Sequence, residues 1–520
     1  MPDGFSYPGI YVQELPAAVR TISGVSTSST AFIDAFQRGP MNQATLVTSW
    51  AAFSTIFGGL WAGSEASYAV QQFFLNGGAM AWIVRITGSG GAPVASTAAL
   101  SSGATPVLTV SALNPGKWGD SIKVVAVTSA TAGRFDLLVQ LVQSSATGAS
   151  IAASESFRGL SMLQGDASYA PTMVNGVSQL ITLADDETAA SPEVLPDLKD
   201  PKALKDADWT PLAKGDDGAA PDQTALLGDQ STTGLYALDR IAPAVFNLVC
   251  VPFIAKLGLS ATDYSNAISA VAAYCLASRA FLIVDPPLTL TTEQAFASWF
   301  ATVSIASPNA AIYFPPLSIS DSLAGGKLRT VGPSGTIAGL YARTDASRGV
   351  WKAAAGVDAT LAGASLVTNL TDAEDGALNP FGLNCIRTFP LFGTIVWGAR
   401  TLNGADALAS PWKYVPVRRT ALYLEESIAE GLRWAVFEPN DETLWSQIRA
   451  TVDEFMAGLF RQGAFQGSTP DQAYLVKCDS DTTAQGDIDR GVVNVLVGFA
   501  PLKPAEFVVL QLEQLAGQGS

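Results

Sequence analysis

The sequence predicts an α/β protein with a mainly parallel sheet core that carries helices on both faces, an inserted β-rich outer domain, and an α+β C-terminal domain with extended terminal arms. Three observations support this fold class. Short apolar runs alternate with segments of helical length in residues 21–90 and again in 229–400, which is typical of a parallel sheet. Residues 91–228 are rich in Gly, Ser, Ala and Thr, and after residue 401 two amphipathic stretches precede strand-like runs.

The first core segment begins with an apolar run that predicts a strand. The predicted order is strand, helix, helix and strand, at residues 31–36, 50–57, 66–75 and 81–86. In the second core segment, Pro-Pro pairs follow two of the apolar runs and limit their length. The elements predicted there alternate between strand and helix at residues 245–251, 263–279, 281–285, 292–303 and 310–314.

The insertion has short β-like runs at 107–110, 122–128 and 135–142. Residues 185–222 are rich in Pro, Ala and Asp and contain few large apolar side chains. That composition predicts a solvated loop or a partly disordered linker.

Residues 401–520 are predicted to form the C-terminal domain. Helices are expected at 419–433 and 441–462, the second between a Pro439-Asn440 cap and Gly463. Its apolar stripe has helical spacing and consists of Leu444, Trp445, Ile448, Val452, Phe455, Met456, Leu459 and Phe460. Strands are expected at 492–499 and 506–512.

The N-terminal residues 7–15 alternate as an exposed strand would, and no nearby segment is available to pair with them. They form either an edge strand of their own domain or a strand lent to another chain. The predicted division is an N-terminal segment (1–20), a discontinuous α/β core (21–90 and 229–400), the β-rich insertion with its acidic linker (91–228), and the C-terminal domain (401–520).

Composition excludes several classes of function. The formal net charge is −16, which argues against nucleic-acid binding because phosphate contacts need a basic face. Apolar residues make up 48% of the chain and charged residues 15%, so either a large oligomeric interface or a generous core is implied. No apolar run is long enough to span a membrane. The N-terminus lacks the pattern of a signal peptide, so we expect synthesis in the cytoplasm.

The residue inventory also argues against catalysis, and we predict that the protein is not an enzyme. Histidine is absent, so neither a Ser-His-Asp nor a Cys-His mechanism is available. Ser334, in Gly332-Pro-Ser-Gly335, lacks the second half of a nucleophile elbow and is predicted to make a turn or cap a helix. Asp285 follows a predicted strand, where it either contacts a ligand or fixes a turn. The four cysteines are expected to be buried and reduced.

No cofactor or metal site is predicted. Asp479, Asp481, Asp487 and Asp489 do not have the spacing of a calcium loop, so an exposed hairpin loop is the better interpretation. No phosphate-binding loop is present in the sequence.

Several long motifs occur in an order that carries a family resemblance. They are Tyr7-Pro-Gly-Ile-Tyr-Val-Gln-Glu14, Gly24-Val-Ser-Thr-Ser-Ser-Thr-Ala-Phe-Ile33, the segment 331–352, Asn379-Pro-Phe-Gly-Leu-Asn-Cys-Ile-Arg387, Trp397-Gly-Ala-Arg-Thr-Leu402, Phe437-Glu-Pro-Asn440, Ala473-Tyr-Leu-Val-Lys-Cys-Asp479 and Pro501-Leu-Lys-Pro-Ala-Glu-Phe-Val508. With these motifs the chain resembles the contractile tail sheath proteins of phages, R-type bacteriocins and extracellular contractile injection systems. Residues 91–230 carry the weaker match.

The resemblance implies a structural subunit that polymerises as stacked hexameric rings around an inner tube and contracts to drive the tube through a target envelope. The implied partners are other copies of the chain, the inner tube protein, and baseplate and terminator proteins, with sheath paralogues left open. Assembly would take place in the bacterial cytoplasm, within a phage-tail-like particle that can be released. No nucleic-acid partner and no membrane insertion are implied. The other reading is a different structural assembly protein, such as a capsid or baseplate component.

In such sheaths both terminal arms add strands to a small sheet in neighbouring C-terminal domains, which agrees with the general use of unpaired strand edges as templates. The arm residues implied here are Tyr7, Ile10, Tyr11, Val12, Glu14, Phe507, Val508, Val509, Leu510 and Leu512. The candidate contacts with the inner tube are Arg418, Arg419, Arg449 and Arg461; solvated helix faces or ion pairs within the chain are the alternative. Because histidine is absent, we expect no contraction triggered through this subunit between pH 8 and pH 6.

Overall fold

The computed structural model describes residues 20–145, 148–186 and 194–511. Its strands, in chain order, are β1 (Thr30–Asp34), β2 (Thr45–Val47), β3 (Ala81–Arg85), β4 (Thr97–Ser102), β5 (Thr105–Ala112), β6 (Ile122–Thr128), β7 (Phe135–Ser145), β8 (Gly148–Leu160), β9 (Ile181–Asp185), β10 (Thr210–Pro211), β11 (Leu248–Cys250), β12 (Phe281–Val284), β13 (Ala310–Phe314), β14 (Leu317–Asp321), β15 (Lys327–Val331), β16 (Ser365–Leu366), β17 (Asn384–Phe389), β18 (Gly393–Val396), β19 (Tyr474–Lys477) and β20 (Leu496–Phe499).

The α-helices lie between these strands and after them. In chain order they are α1 (Trp50–Phe57), α2 (Glu65–Leu75), α3 (Ala170–Val174), α4 (Gln223–Leu227), α5 (Ala261–Ala277), α6 (Glu293–Phe300), α7 (Ser334–Arg348), α8 (Asp372–Leu378), α9 (Val415–Gly431), α10 (Glu442–Arg461), α11 (Pro470–Ala473) and α12 (Gln485–Ile488).

The described chain divides into two compact units, each of which is described separately below. The α/β unit consists of Thr27–Ser347 and Ala354–Val415, and the C-terminal unit consists of 20–26, Arg348–Ala353 and 416–511. The finer division into four parts that the sequence predicts stays a prediction.

A central sheet of eight strands organises the α/β unit, in the order β18-β17-β13-β12-β11-β1-β3-β2. The inner pairs from β17 to β3 are parallel, while β18 and β2 add antiparallel edges. The two core segments meet where Thr30 of β1 pairs with Leu248 of β11. The mainly parallel sheet, discontinuous in sequence, is therefore confirmed.

Both faces of this sheet are covered, which explains its continuous apolar strands. On one face Phe32 packs against Phe73 of α2, and Phe281 packs against Tyr341 of α7. On the other face Phe314 stacks on Phe296 of α6 at 4.4 Å between ring centroids. Residues of α5 belong to this second cluster.

The insertion forms two further antiparallel sheets, β10-β6-β7-β8 and β4-β5-β9, around a core of its own. The described part of the stretch predicted as a solvated loop or partly disordered linker, 194–222, is mostly exposed or half-buried, as a solvated loop would be, but it is attached to the insertion. Leu212 is buried in the insertion core, and Ala213, Asp216 and Ala219 make backbone bridges to the segment 88–97. Backbone hydrogen bonds hold this stretch in place despite its few apolar side chains.

In the C-terminal unit the apolar stripe predicted for α10 is confirmed, because Leu444, Trp445 and Ile448, with Val452, Met456 and Leu459, are buried. Asp441 caps the helix by accepting a hydrogen bond from the Leu444 N–H at 3.0 Å. The strand predicted at 492–499 is shorter and pairs with β19. The strand predicted at 506–512 is not formed over its described residues, 506–511.

Candidate functional site

Over the residues that the structure describes, the small sheet of the C-terminal unit consists of two strands. β19 and β20 pair antiparallel, from Tyr474 opposite Phe499 to Lys477 opposite Leu496. Val476 and Val497 pack against the apolar cluster of α10, which anchors the hairpin. Within the part of the chain that the structure describes, each strand has one edge without a strand partner. Such an edge presents free N–H and C=O groups to an incoming strand.

The C-terminal tail of the described chain is apolar and exposed. Phe507, Val508, Val509 and Leu510 are 74% to 90% exposed. Four successive large apolar side chains in water are unfavourable for a monomer and mark an interaction segment. Alternation would place Val508 and Leu510 on one face of an added strand and Phe507 and Val509 on the other.

The remaining predicted arm residues, Tyr7, Ile10, Tyr11, Val12, Glu14 and Leu512, lie outside the described residues. Their role in linking copies stays a prediction. The same holds for the intersubunit role of the apolar tail, whose side chains the structure leaves exposed.

The four arginines considered for the tube contact differ in exposure. Arg418 and Arg419 on α9 are buried, and Arg418 pairs with Glu425 at 3.1 Å. Arg449 is half-buried and donates to the Cys478 carbonyl, whereas Arg461 is exposed at the end of α10. A guanidinium that is buried in its own chain cannot also face a partner, so only Arg449 and Arg461 retain an accessible surface.

The motif Gly332-Pro-Ser-Gly335 forms the start of α7 and contacts the carboxyl end of β12. The Asp285 carboxylate accepts hydrogen bonds from the Ser334 N–H at 2.7 Å and from the Ser334 hydroxyl at 2.5 Å. A Cβ on Gly332 would overlap this carboxylate. Ser334 is completely buried, so no substrate reaches its hydroxyl. Ser334 is the first residue of α7 and donates both bonds, so the Asp285 carboxylate, rather than the serine hydroxyl, binds the N-terminus of this helix.

Asp34, at the end of β1, is a second buried carboxylate that accepts hydrogen bonds at the start of a helix. Its carboxylate accepts from the Ala66 N–H at 2.7 Å and from the Ser64 hydroxyl at 3.2 Å, at the start of α2. Burial raises the pKa of Asp34 to about 7, and burial likewise raises the pKa of Asp285 to about 7, although hydrogen bonds to both carboxylates act in the opposite direction. The charge of Glu65 raises both pKa values further.

Two nearby cations bind Glu65 rather than the two aspartates. Lys256 and Arg329 each lie 2.6 Å from Glu65 Oε1. The expectation that no contraction is triggered through this subunit between pH 8 and pH 6 was based on the absence of histidine alone, and it stays a prediction. Two buried carboxyl groups have pKa values inside this range.

The remaining candidate residues from the sequence are the four cysteines and the acidic residues 479–489, and their contacts are structural. All four cysteines are buried and unpaired, as predicted, and burial raises the pKa of Cys250 and of Cys275. The acidic residues 479–489 lie in the connection between β19 and β20, where Asp481 pairs with Lys477 at 2.8 Å. Among the described residues, no three carboxylates or thiols are arranged to hold a metal ion. In the same part of the chain, no helix combines the length and the hydropathy that crossing a membrane requires.

Solved structures share this fold across nearly the whole chain. The sheath complex of an extracellular contractile injection system (PVC), in its contracted state, is 22% identical with a TM-score of 0.58 and covers 99% of both chains. A sheath tail protein of Listeria innocua is 12% identical with a TM-score of 0.59 and covers 93% of this chain and 96% of its own.

Sequence comparison points the same way. The tail sheath protein of Vibrio phage KVP40 is 28% identical over 184 residues, which is 35% of this chain but only 26% of that relative. The family model for the phage tail sheath protein central domain matches residues 221–402, and that for the phage tail sheath C-terminal domain matches 409–514. Together the two models match more than half of the chain. The chain belongs to the phage tail sheath protein family.

Proposed function

We propose that the protein is a structural, non-enzymatic sheath subunit that polymerises as stacked hexameric rings around an inner tube and contracts to drive the tube through a target envelope. The observation that carries the proposal is a pair of matching features that the described residues of one unit show: an apolar tail exposed to solvent and a two-stranded sheet whose edges have no strand partner there. An extended tail supplies the strand that the sheet edge lacks. The solved sheath in a contracted state has the same fold.

Polymer formation follows from strand exchange between copies. The tail of one copy and the N-terminal arm of another each add a strand to a neighbour's β19–β20 sheet, and main-chain hydrogen bonds hold the copies together. The extended lattice is metastable, and contraction enlarges the contacts between subunits while the arms keep the copies linked. Arg449 and Arg461 contact the inner tube. Baseplate and terminator proteins limit the polymer at its ends. The polymer assembles in the cytoplasm before release.

Substitution of the apolar tail tests this mode of assembly. Val508→Asp/Leu510→Asp places two charges on one face of the incoming strand, where each is desolvated on docking. We expect tubular or ring-shaped polymers, seen by negative-stain electron microscopy, to be lost while circular dichroism stays unchanged. Gln511→Asp is the matched control, because it adds a charge at a polar position of the other face and should still polymerise.

Deletion of residues 1–17 tests the second arm. We expect the truncated chain to remain folded and monomeric or to form only short oligomers in sedimentation velocity. Polymers that match those of the full chain would refute the role of the N-terminal arm. Closed shells instead of tubes from the full chain would favour a capsid-type assembly over a sheath.

A further inference from the structure

Residues 20–25, here called the strap, lie against α9 and the turn that follows it, within the C-terminal unit. The Arg20 guanidinium carbon is 4.9 Å from the centroid of the Trp434 ring. Five residues further on, the Val25 N–H donates to the hydroxyl oxygen of Ser427, which is completely buried. A cation–π contact at one end and a buried hydrogen bond at the other fix both ends of the strap.

Two glycines permit this close approach. A Cβ on Gly24 would lie 3.0 Å from Tyr423 Cζ and would overlap the hydroxyl oxygen of that residue. A Cβ on Gly431, the last residue of α9, would lie 2.6 Å from Ile22 Cγ1. Neither glycine has a positive φ, so both are needed for space and not for backbone conformation.

We propose that the strap positions the N-terminal arm, and that Gly24 and Gly431 are the positioning residues. The strap fixes the point at which the chain preceding Arg20 joins the C-terminal unit, the unit whose sheet receives strands from neighbours. This inference rests on the proposed function. A fixed root lowers the conformational entropy that the arm must lose when it docks, and so strengthens each link between copies.

The strap and α10 together enclose a cleft of about 280 Å³ that supplies a matched control. Gly458 on α10 lines this cleft, yet the nearest atom to a Cβ there is an Arg461 side-chain nitrogen at 4.0 Å. Gly458→Ala therefore makes the same chemical change as Gly431→Ala, in the same unit, without touching the strap.

The experiment compares full-length Gly431→Ala, Gly458→Ala, Ile22→Ala and the double variant Ile22→Ala/Gly431→Ala. Hydrogen exchange of the peptide containing Val25 reports strap docking, and the critical concentration for polymerisation reports assembly. We expect Gly431→Ala to speed exchange in that peptide alone and to raise the critical concentration at least about tenfold. Gly458→Ala should behave as the unsubstituted chain. The double variant should recover part of the loss, because truncated Ile22 no longer meets the new methyl group.

The outcomes separate this inference from the proposed function. If Gly431→Ala frees the strap but polymerises at the original concentration, the positioning role is overturned while strand exchange stands. Unchanged exchange in Gly431→Ala would equally overturn it, because the steric argument would then be wrong. If the chain lacking residues 1–17 polymerises normally, the arm function itself fails, whatever Gly431→Ala does.

Discussion

Acidification from pH 8 to pH 6 is expected to raise the free energy of unfolding of the α/β unit. Asp34 and Asp285 are buried at the carboxyl ends of β1 and β12, and burial raises the pKa of each from 3.8 to about 7. Lys256 and Arg329 are bound to Glu65, and Arg85, which lies opposite Asp34 in the sheet, donates to the carbonyl oxygens of Gly39 and Pro115. The two aspartates therefore depend on helix N-termini and hydroxyl groups when they are ionised.

The direction follows from proton linkage. Above pH 7 the carboxyl groups are ionised in both folded and unfolded chains, and the folded chain bears the full cost of burying the charge. Between about pH 7 and pH 4 the folded chain holds protons that the unfolded chain has released, so stability rises as pH falls. Per carboxyl group the gain between pH 8 and pH 6 is about 1 kcal/mol.

Urea unfolding at pH 6, 7 and 8 measures this effect, followed by pulsed hydrogen exchange of the peptides that contain β1 and β12. Asp34→Asn and Asp285→Asn should each remove about half of the pH dependence, because the amide keeps an acceptor oxygen but cannot titrate. Asp166→Asn is the control. Its carboxylate has a lowered pKa, held by the Ser168 N–H and by Arg134, so it is ionised throughout this range.

A flat or inverted pH dependence in the unsubstituted chain would contradict the assignment. An unchanged pH dependence in both asparagine variants would do the same. Infrared spectroscopy offers a direct check, because protonated carboxyl groups buried at pH 6 have a C=O stretch that carboxylates lack.

The sequence predicts well those helices and strands that have a strong hydrophobic pattern or that end at a residue such as proline or a helix cap. The strand 310–314 and the helix 50–57 have the predicted bounds, because an apolar run that ends at Pro315 and a helix capped by Ser49 leave little freedom. Helix α7 has no such signal. Its first half, Ser-Gly-Thr-Ile-Ala-Gly-Leu-Tyr, is small or apolar on every side and is buried on every side, so no stripe marks it as a helix.

The candidate site was predictable only in part. The sequence indicated that Ser334 makes a turn or caps a helix and that Asp285 follows a strand, but their contact depends on the packing of segments 49 residues apart. The raised pKa values arise from burial, which composition does not show. For the tail, alternation predicted a strand at 506–512, whereas the described residues 506–511 form none.

Gly335→Ala is expected to destabilise the α/β unit strongly, although alanine normally favours a helix. A Cβ at this position would lie 2.6 Å from the carbonyl carbon of Ala69 on α2 and would overlap its oxygen. One turn later, a Cβ on Gly339 would lie 2.5 Å from the Phe73 carbonyl oxygen. The two glycines let the backbones of α7 and α2 touch, and backbone atoms have no rotamer by which to move aside.

The size of the effect comes from overpacking. To accept the methyl group, α7 must shift away from α2, and the shift disturbs the Ser334–Asp285 hydrogen bonds at its first turn. We expect a loss of about 3 kcal/mol in the free energy of unfolding. Helix propensity alone would give a gain of about 1 kcal/mol, so the predicted sign is opposite to that for an exposed helical glycine.

Gly376 in α8 is an exposed helical glycine with which Gly335 can be compared. It is exposed, and no atom lies within 4 Å of a Cβ built on it. Urea unfolding of Gly335→Ala and Gly376→Ala should therefore give changes of opposite sign, a loss for the first and a small gain for the second. Equal gains would mean that α7 and α2 are not in backbone contact. The Gly-Pro-Ser-Gly motif would then stabilise the fold through Asp285 alone, and Asp285→Asn would be the more destabilising change of the two.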